Sequence, residues 1–453
     1  MKIRRSTFEL SVFFLMTFIL YVLKIELLGN FMFFLTLILL LYFGKKKPEL
    51  LLITLVVIET KLFGVGPTKI FGVLMEKIEI LVLLVSYIYW AKKRFINKLE
   101  IPRSYNLLWT TGIIIVSAAV MGKVTSGQSF VMGILFQTRL FILFSLFPIL
   151  ALMKEKKNSF KNLKKLIKIC ALIHAILNAI QFIVYPRIQF LTITSENIRF
   201  GAIRITHGYV LITIALMITF SEILYKISLK NMIYLVIYFV ELLLVCKTRM
   251  VIFGVVISMI FAVLSNLRYK SGWKKMAVLG GCGIIMICVL YTHLNDMINL
   301  TQEEVSSNSG NYVARTDEIA FYTAQVKNPI VGRGFISPKS ANGEAYDTKY
   351  GYFSLTDIGV VGLYVTNGVI GIIWFVLIIW IIGKQIRRNK KYLFGLEYFV
   401  YSIVVCMTLL TFYYNSEYLI ITLILLADNN IINEQKGIRS INYEKRVIPD
   451  PNS

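Results

Sequence analysis

The sequence predicts an all-α polytopic membrane protein with about fourteen transmembrane helices and one large extracytoplasmic loop late in the chain. Hydrophobic residues make up 57% of the 453 positions and charged residues only 16%, whereas soluble domains carry about 25% charged residues. Apolar runs of membrane-crossing length recur along the chain, and such runs satisfy their own backbone hydrogen bonds as helices. Between Leu290 and Ile358 the pattern stops, and a polar stretch takes its place.

The apolar segments divide the chain into four parts. Eleven spans are predicted within 1–291, the loop at 292–357, three spans within 358–432, and a polar cytoplasmic tail at 433–453. No small-residue cleavage site follows the first run, so we expect that span to be retained. The spans are expected at 8–26, 28–43, 49–66, 76–91, 105–122, 133–153, 165–185, 206–225, 231–246, 249–266, 275–291, 358–383, 393–413 and 416–432.

Basic residues predict the orientation. With the N-terminus inside, the cytoplasmic segments hold 33 of the 49 lysines and arginines. Both termini are therefore expected in the cytoplasm and the large loop outside, in a bacterial cytoplasmic membrane. Because the net charge of +24 is explained by membrane sidedness, it does not indicate a nucleic-acid partner. The five cysteines all fall in predicted spans without CxxC spacing, so neither a disulfide nor a metal site is expected.

Several arginines lie on the outer side, where the charge rule disfavours them. Arginine at membrane depth is costly and usually faces a cavity or a partner, and its planar donor fork suits phosphate. Such a group is able to hold a lipid diphosphate. For Arg187, which follows Pro186 at a span end, contact with lipid headgroups is the competing interpretation. The outer arginines are Arg139, Arg187, Arg199, Arg204, Arg249, Arg315 and Arg333.

The large loop contains a predicted surface helix from Tyr312 to Val326, ended by Pro329. Arg315 lies near its start; a plain surface pair with Glu318 is the alternative to a functional role.

After the helix comes a turn signature in which Gly332 and Gly334 allow positive φ or close approach of a ligand, so both are candidate substrate-binding residues. Asp357 lies where the chain re-enters the membrane. There it is a candidate base or a partner for an arginine.

Together these features resemble the O-antigen polymerase and O-antigen ligase superfamily. The resemblance is carried by Arg199 and Arg204 in one outer loop, by Thr248-Arg249 at the start of a span, by Arg315 together with Asn328-Pro-Ile-Val-Gly-Arg-Gly-Phe335, and by Asp357-Ile-Gly-Val-Val-Gly362. It implies an extracytoplasmic late loop, a polyprenyl-diphosphate-linked glycan donor, no metal and no other cofactor. It also implies that arginines around the loop are required. The positions carried over are Arg199, Arg204, Arg249 and Arg315, with Arg139 added from its position near an outer span end.

One departure favours the polymerase branch. Ligases of this pattern carry a histidine just before the acid-glycine segment, and here that stretch, from Lys349 to Leu355, has none. The predicted activity is therefore joining of lipid-linked repeat units into a capsule, exopolysaccharide or O-antigen. The alternatives are a ligase that transfers finished glycan to another acceptor and a polysaccharide flippase or exporter. The expected partners are lipid-linked donor and acceptor and membrane lipids, with a chain-length regulator and a flippase as further candidates.

Overall fold

The computed structural model describes residues 2–94, 102–156, 158–193, 198–199, 202–267, 310–337, 353–388 and 393–428, with single positions between 291 and 306. The protein is mostly helical. Within this part of the chain, six helices are long and apolar enough to cross a membrane, and four apolar helices are shorter. The six are Glu26–Gly44, Arg103–Ser126, Ser159–Val184, Leu229–Cys246, Arg249–Asn266 and Leu355–Arg387.

The first half packs both between neighbouring helices and between distant ones. α1 to α4 pack in chain order, α4 also contacts α7 and α8, and α9 contacts α3 and α8; these helices bury mainly leucine, isoleucine and valine. Their bounds are α1 Lys2–Val22, α2 Glu26–Gly44, α3 Glu49–Glu59, α4 Met75–Arg94, α5 Thr110–Ser126, α6 Phe130–Leu135, α7 Thr138–Ile142, α8 Leu146–Lys154 and α9 Ser159–Val184.

The second half contains the helices that surround the candidate site. α12 packs along α15, and α14 packs against α15 and α5. Their bounds are α10 Tyr209–Tyr225, α11 Leu229–Val240, α12 Arg249–Leu267, α13 Gly310–Thr323, α14 Gly359–Arg388, α15 Leu393–Cys406, α16 Thr411–Tyr414 and α17 Ser416–Leu426.

Short elements complete the connections. Two small antiparallel hairpins pair β1 (Lys69–Ile70) with β2 (Val73–Leu74) and β3 (Ile198–Arg199) with β4 (Ala202–Ile203). 3-10 turns cover Arg103–Trp109, Leu143–Ser145 and Leu355–Ile358, and a π-helical turn covers Glu241–Cys246.

Several predicted spans are interrupted in the structure; the span at 393–413, for example, is helical over Leu393–Cys406 and again over Thr411–Tyr414. Two further segments also depart from a continuous helix. The segment predicted as one span at 133–153 is divided into α6, α7, a 3-10 turn and α8. The segment at 49–66 is helical only to Glu59, since Lys61, Leu62 and Phe63 all have positive φ and form turns. In both places tertiary packing overrides an apolar run whose local pattern favours a continuous helix. The span predicted at 275–291 lies outside the described residues.

α14 is a broken helix, and a loop segment repairs the break. At Gly368 the backbone leaves helical geometry, with φ 61° and ψ −151°. A strap formed by residues 328–335 supplies the missing hydrogen bonds. The amides of Val369 and Ile370 donate to the strap carbonyls of Pro329 and Ile330 at 2.9 and 3.1 Å. In return, the amides of Arg333 and Gly334 donate to the carbonyls of Val365 and Thr366 at 2.8 and 3.0 Å. The strap therefore takes the place of one helical turn, because buried backbone groups require partners.

Candidate functional site

Arg315 joins the loop helix to the membrane helices. Its guanidinium, on α13, donates from one terminal nitrogen to Glu318 Oε2 at 2.7 Å and from the other to Asp357 Oδ2 at 2.9 Å. Asp357 lies in the 3-10 turn that leads into α14, and Thr356 donates to its other oxygen at 3.2 Å. The sequence suggested a pair between Arg315 and Glu318, and an arginine partner for Asp357. The structure contains both contacts in one cluster, because Arg315 bonds to Glu318 and to Asp357.

Glu318 is the buried member of this cluster. The backbone N–H of Ser354 donates to Glu318 Oε1, which ties α13 to the chain just before Asp357. Burial raises the pKa of the Glu318 carboxyl above its ordinary value, although the bonds from Ser354 and Arg315 oppose the shift. The Arg315 side chain itself is 35% exposed. A guanidinium has five N–H donors. The carboxylates of Glu318 and Asp357 engage two of these donors in Arg315, so the group is able to contact a further anion on its open side.

Gly332 and Gly334 have the positive φ values that the turn signature indicates, 72° and 88°. Their candidate role as substrate-binding residues stays a prediction, and in the structure it is backbone that lies close to both. A Cβ on Gly332 would lie 2.6 Å from the Val365 carbonyl oxygen, and one on Gly334 would lie 2.0 Å from the Gly122 amide nitrogen. Both glycines are buried, and both permit the strap to pack between α5 and the break in α14.

Arg333 is buried in the strap and fixes the loop helix. Its guanidinium lies 4.9 Å from the centre of the Tyr322 ring and donates to Gln325 Oε1. Tyr322 belongs to α13, the helix that carries Arg315, and is itself 1% exposed. The Arg333 carbonyl also accepts from Thr125 Oγ1 at 2.6 Å. Arg333 therefore connects α5, the strap and α13, and at 1% exposure it does not face a substrate.

Arg139 has two partners in the protein. In α7 it donates to the Tyr414 carbonyl at 2.6 Å and to Glu76 Oε1 at 3.1 Å. The carboxyl groups of Glu59, Glu76, Glu79 and Glu417 all lie within electrostatic range of it. Arg139 is therefore held by a carboxylate and a backbone carbonyl.

A polar cavity of about 160 Å³ lies beside Arg139. Its walls combine charged and hydroxyl-bearing side chains, and it is smaller than the roughly 300 to 1,000 Å³ of pockets that enclose whole small molecules. Tyr209 on its wall is also within electrostatic range of Asp357, so the cavity lies near the Arg315 cluster. The lining residues are Glu59, Thr60, Lys61, Arg139, Thr206, His207, Gly208, Tyr209, Val210, Asn415 and Tyr418.

The remaining predicted arginines lie around one corner. Arg199 ends β3, and Arg204 follows β4, so the hairpin brings their backbones close together. The next residue, Ile205, donates its amide to the Val245 carbonyl at 3.1 Å, which sets Arg204 beside the turn that precedes Arg249. Arg249 begins α12. Thr206, two residues after Arg204, lines the cavity, so the chain joins this corner to it.

The buried carboxylates were not among the predicted site residues. Glu79, Glu397 and Glu417 are at most 1% exposed. The signal was present, because an acidic residue inside an apolar run is itself a functional candidate. Among the described residues, no group of three or more histidine, cysteine, aspartate or glutamate side chains is arranged to hold a metal ion.

Comparison of the chain with protein-family models, with curated proteins and with solved structures finds no match in any of the three.

Proposed function

We propose that this chain is a metal-independent glycosyltransferase of the bacterial cytoplasmic membrane. It joins polyprenyl-diphosphate-linked oligosaccharide repeat units into a surface polysaccharide on the outer face. In this proposal the chain has about fourteen spans, both termini lie in the cytoplasm, and the large loop is outside. The observation that carries the proposal is the Arg315–Asp357 pair, which fixes a partly exposed guanidinium where the loop meets the membrane helices, near a polar cavity.

The proposed reaction transfers the growing glycan. A hydroxyl of the acceptor repeat unit attacks the anomeric carbon of the donor, and the bond from that carbon to the diphosphate oxygen breaks. Negative charge grows on the departing diphosphate, and donors fixed in advance at that place stabilise the transition state. Each such donor contributes on the order of 3 kcal/mol, and positioning of the two substrates lowers the barrier further.

Arg315 is the principal diphosphate ligand in this mechanism, with Arg199, Arg204 and Arg249 as the other members of the clamp. Asp357 is better suited to positioning than to proton transfer, because one carboxylate oxygen accepts from Arg315 and the other from Thr356. Arg139 is assigned to the acceptor side because it lines the polar cavity.

The test is elongation of lipid-linked repeat units by the purified protein in vesicles. The expected result is longer lipid-linked products with the parent, none with Arg315→Ala or Arg204→Ala, and partial activity with the matched lysine variants. Lysine keeps the charge but lacks the planar fork. Arg187→Ala, an exposed arginine near a span end, is the matched control and should retain activity.

The same assay separates the alternatives. Transfer of glycan to a foreign acceptor identifies a ligase, and translocation of unmodified lipid identifies an exporter. Full-length polymer from both alanine variants contradicts the diphosphate clamp. Loss of activity in EDTA with recovery on adding Mg²⁺ contradicts the metal-independent mechanism.

A further inference from the structure

The polar cavity beside Arg139 combines charged and hydroxyl-bearing side chains. Lys61, Arg139 and Glu59 line it, and Arg139 is also paired with Glu76 at 3.1 Å. A polyhydroxylated group finds both hydrogen-bond donors and acceptors among these side chains.

The cavity walls suit sugar hydroxyls. Thr206, Tyr209 and Tyr418 bring hydroxyl groups, which both donate and accept hydrogen bonds, and the tyrosines add aromatic surface. At about 160 Å³ the cavity takes a terminal part of a glycan and not a whole oligosaccharide. The remainder of the repeat unit must extend out of the cavity.

Glu59 is the carboxylate placed to contact such a group. Among the described residues that line the cavity it carries the one carboxyl group. Glu79 and Glu417 are buried and do not line the cavity, and Glu76, which does not line it either, is paired with Arg139. Both oxygens of Asp357 are already engaged, by Arg315 and Thr356. Lys61 and Arg139 flank Glu59, and their positive charges oppose the effect of its burial.

We propose that this cavity binds the acceptor sugar and that Glu59 is the general base that removes the proton from its attacking hydroxyl. This inference rests on the proposed transferase function. As the hydroxyl oxygen forms its bond to the donor's anomeric carbon, its proton passes to the Glu59 carboxylate. The bond between the anomeric carbon and the diphosphate oxygen breaks, and the electron pair leaves with the diphosphate. The proton returns to water afterwards.

The neighbourhood supplies a matched control. Glu76 and Glu59 both lie near Arg139, but only Glu59 lines the cavity. Glu59→Gln removes the base, whereas Glu76→Gln removes a comparable charge near the same arginine. Positioned acid–base groups contribute about 100- to 10,000-fold to rate, so elongation should fall at least about 100-fold in Glu59→Gln and within a few-fold in Glu76→Gln.

The experiment measures elongation and donor binding separately, with the purified protein in vesicles and a radiolabelled lipid-linked repeat unit. Glu59→Gln should retain binding of this lipid while losing elongation. In the parent, elongation should decline toward acid pH as Glu59 gains a proton, and formate added to Glu59→Ala should restore part of the rate. The ionisable groups facing Glu59 that shape this profile are Lys61, Glu76, Glu79, Arg139, His207, Tyr209, Glu417 and Tyr418.

Each outcome decides the matter. Elongation by Glu59→Gln within about threefold of the parent overturns the inference, as does an equal loss in Glu76→Gln, which would indicate a role in holding Arg139. If Glu59→Gln does not fold, Glu59→Asp replaces it in the test. A lower elongation rate together with a shift of the acid side of the pH profile supports Glu59 as the general base, and a pH profile like that of the parent contradicts it. Absence of elongation by the parent would instead reject the proposed function itself.

Discussion

Replacing Arg333 should loosen the loop helix without touching the proposed substrate-binding groups. In Arg333→Met the apolar bulk remains, but the contact with the Tyr322 ring at 4.9 Å and the bond to Gln325 are lost. A desolvated cation–π contact contributes about 2 kcal/mol, and a hydrogen bond to a charged group about 1.5 to 3 kcal/mol. Allowing for the packing that methionine retains, docking of α13 should weaken by about 3 kcal/mol, or about 100-fold in its opening equilibrium.

Hydrogen exchange followed by mass spectrometry measures this opening. Backbone amides of α13 should exchange about 100-fold faster in Arg333→Met than in the parent, while those of α12 should keep their rate, since α12 lies away from the strap. Elongation should fall as well, although Arg315 is unchanged, because α13, which carries Arg315, is no longer held in a single position.

Lys327→Met is the control for this prediction. Lys327 lies in the same loop and is exposed, so removal of its charge should leave exchange in α13 unchanged. Parental exchange rates in Arg333→Met would refute the argument that Arg333 fixes α13. Equal acceleration in both variants would attribute the effect to loop charge and not to the buried contact.

Other predictions follow from the same contacts. Gly334→Ala should destabilise the protein by several kcal/mol, because its Cβ would lie 2.0 Å from the Gly122 amide nitrogen; an unchanged melting temperature would contradict this. Asp357→Asn should reduce elongation more than Asp347→Asn does; Asp347 lies outside the described residues. Equal elongation rates in the two variants would mean that Arg315 needs no carboxylate partner. Because the pKa of Glu318 is raised in the folded protein, docking of α13 is strongest below the ordinary value of 4.5 and weakens as pH rises through the raised value. Protection of α13 measured against pH should show this slope, and Glu318→Gln should abolish it. A cysteine in place of Ser340, also outside the described residues, should react with an impermeant reagent in intact cells; reaction only after permeabilisation would reverse the proposed orientation.

The membrane class of this protein was determined by sequence alone. Apolar runs such as those in α2, α9 and α12 are local, and a helix is the form in which each satisfies its own backbone in a bilayer. The helix in the loop was also predictable, since its pattern from Tyr312 onward appears as α13 at Gly310–Thr323. Positive φ at Gly332 and Gly334 was readable for the same reason, because glycine's freedom is a local property.

Tertiary structure determined which backbone segments pack against Gly332 and Gly334. The strap meets α14 more than thirty residues later in the chain and α5 some two hundred residues earlier, and no local pattern specifies such partners. The same holds for Glu59, whose neighbours Arg139 and Tyr418 come from distant helices. Sequence indicated that arginines at membrane depth need partners. Only packing determined that Arg315 meets Asp357, that Arg333 meets Tyr322, and that Arg139 meets carboxylates, because contacts between distant segments form when the helices assemble.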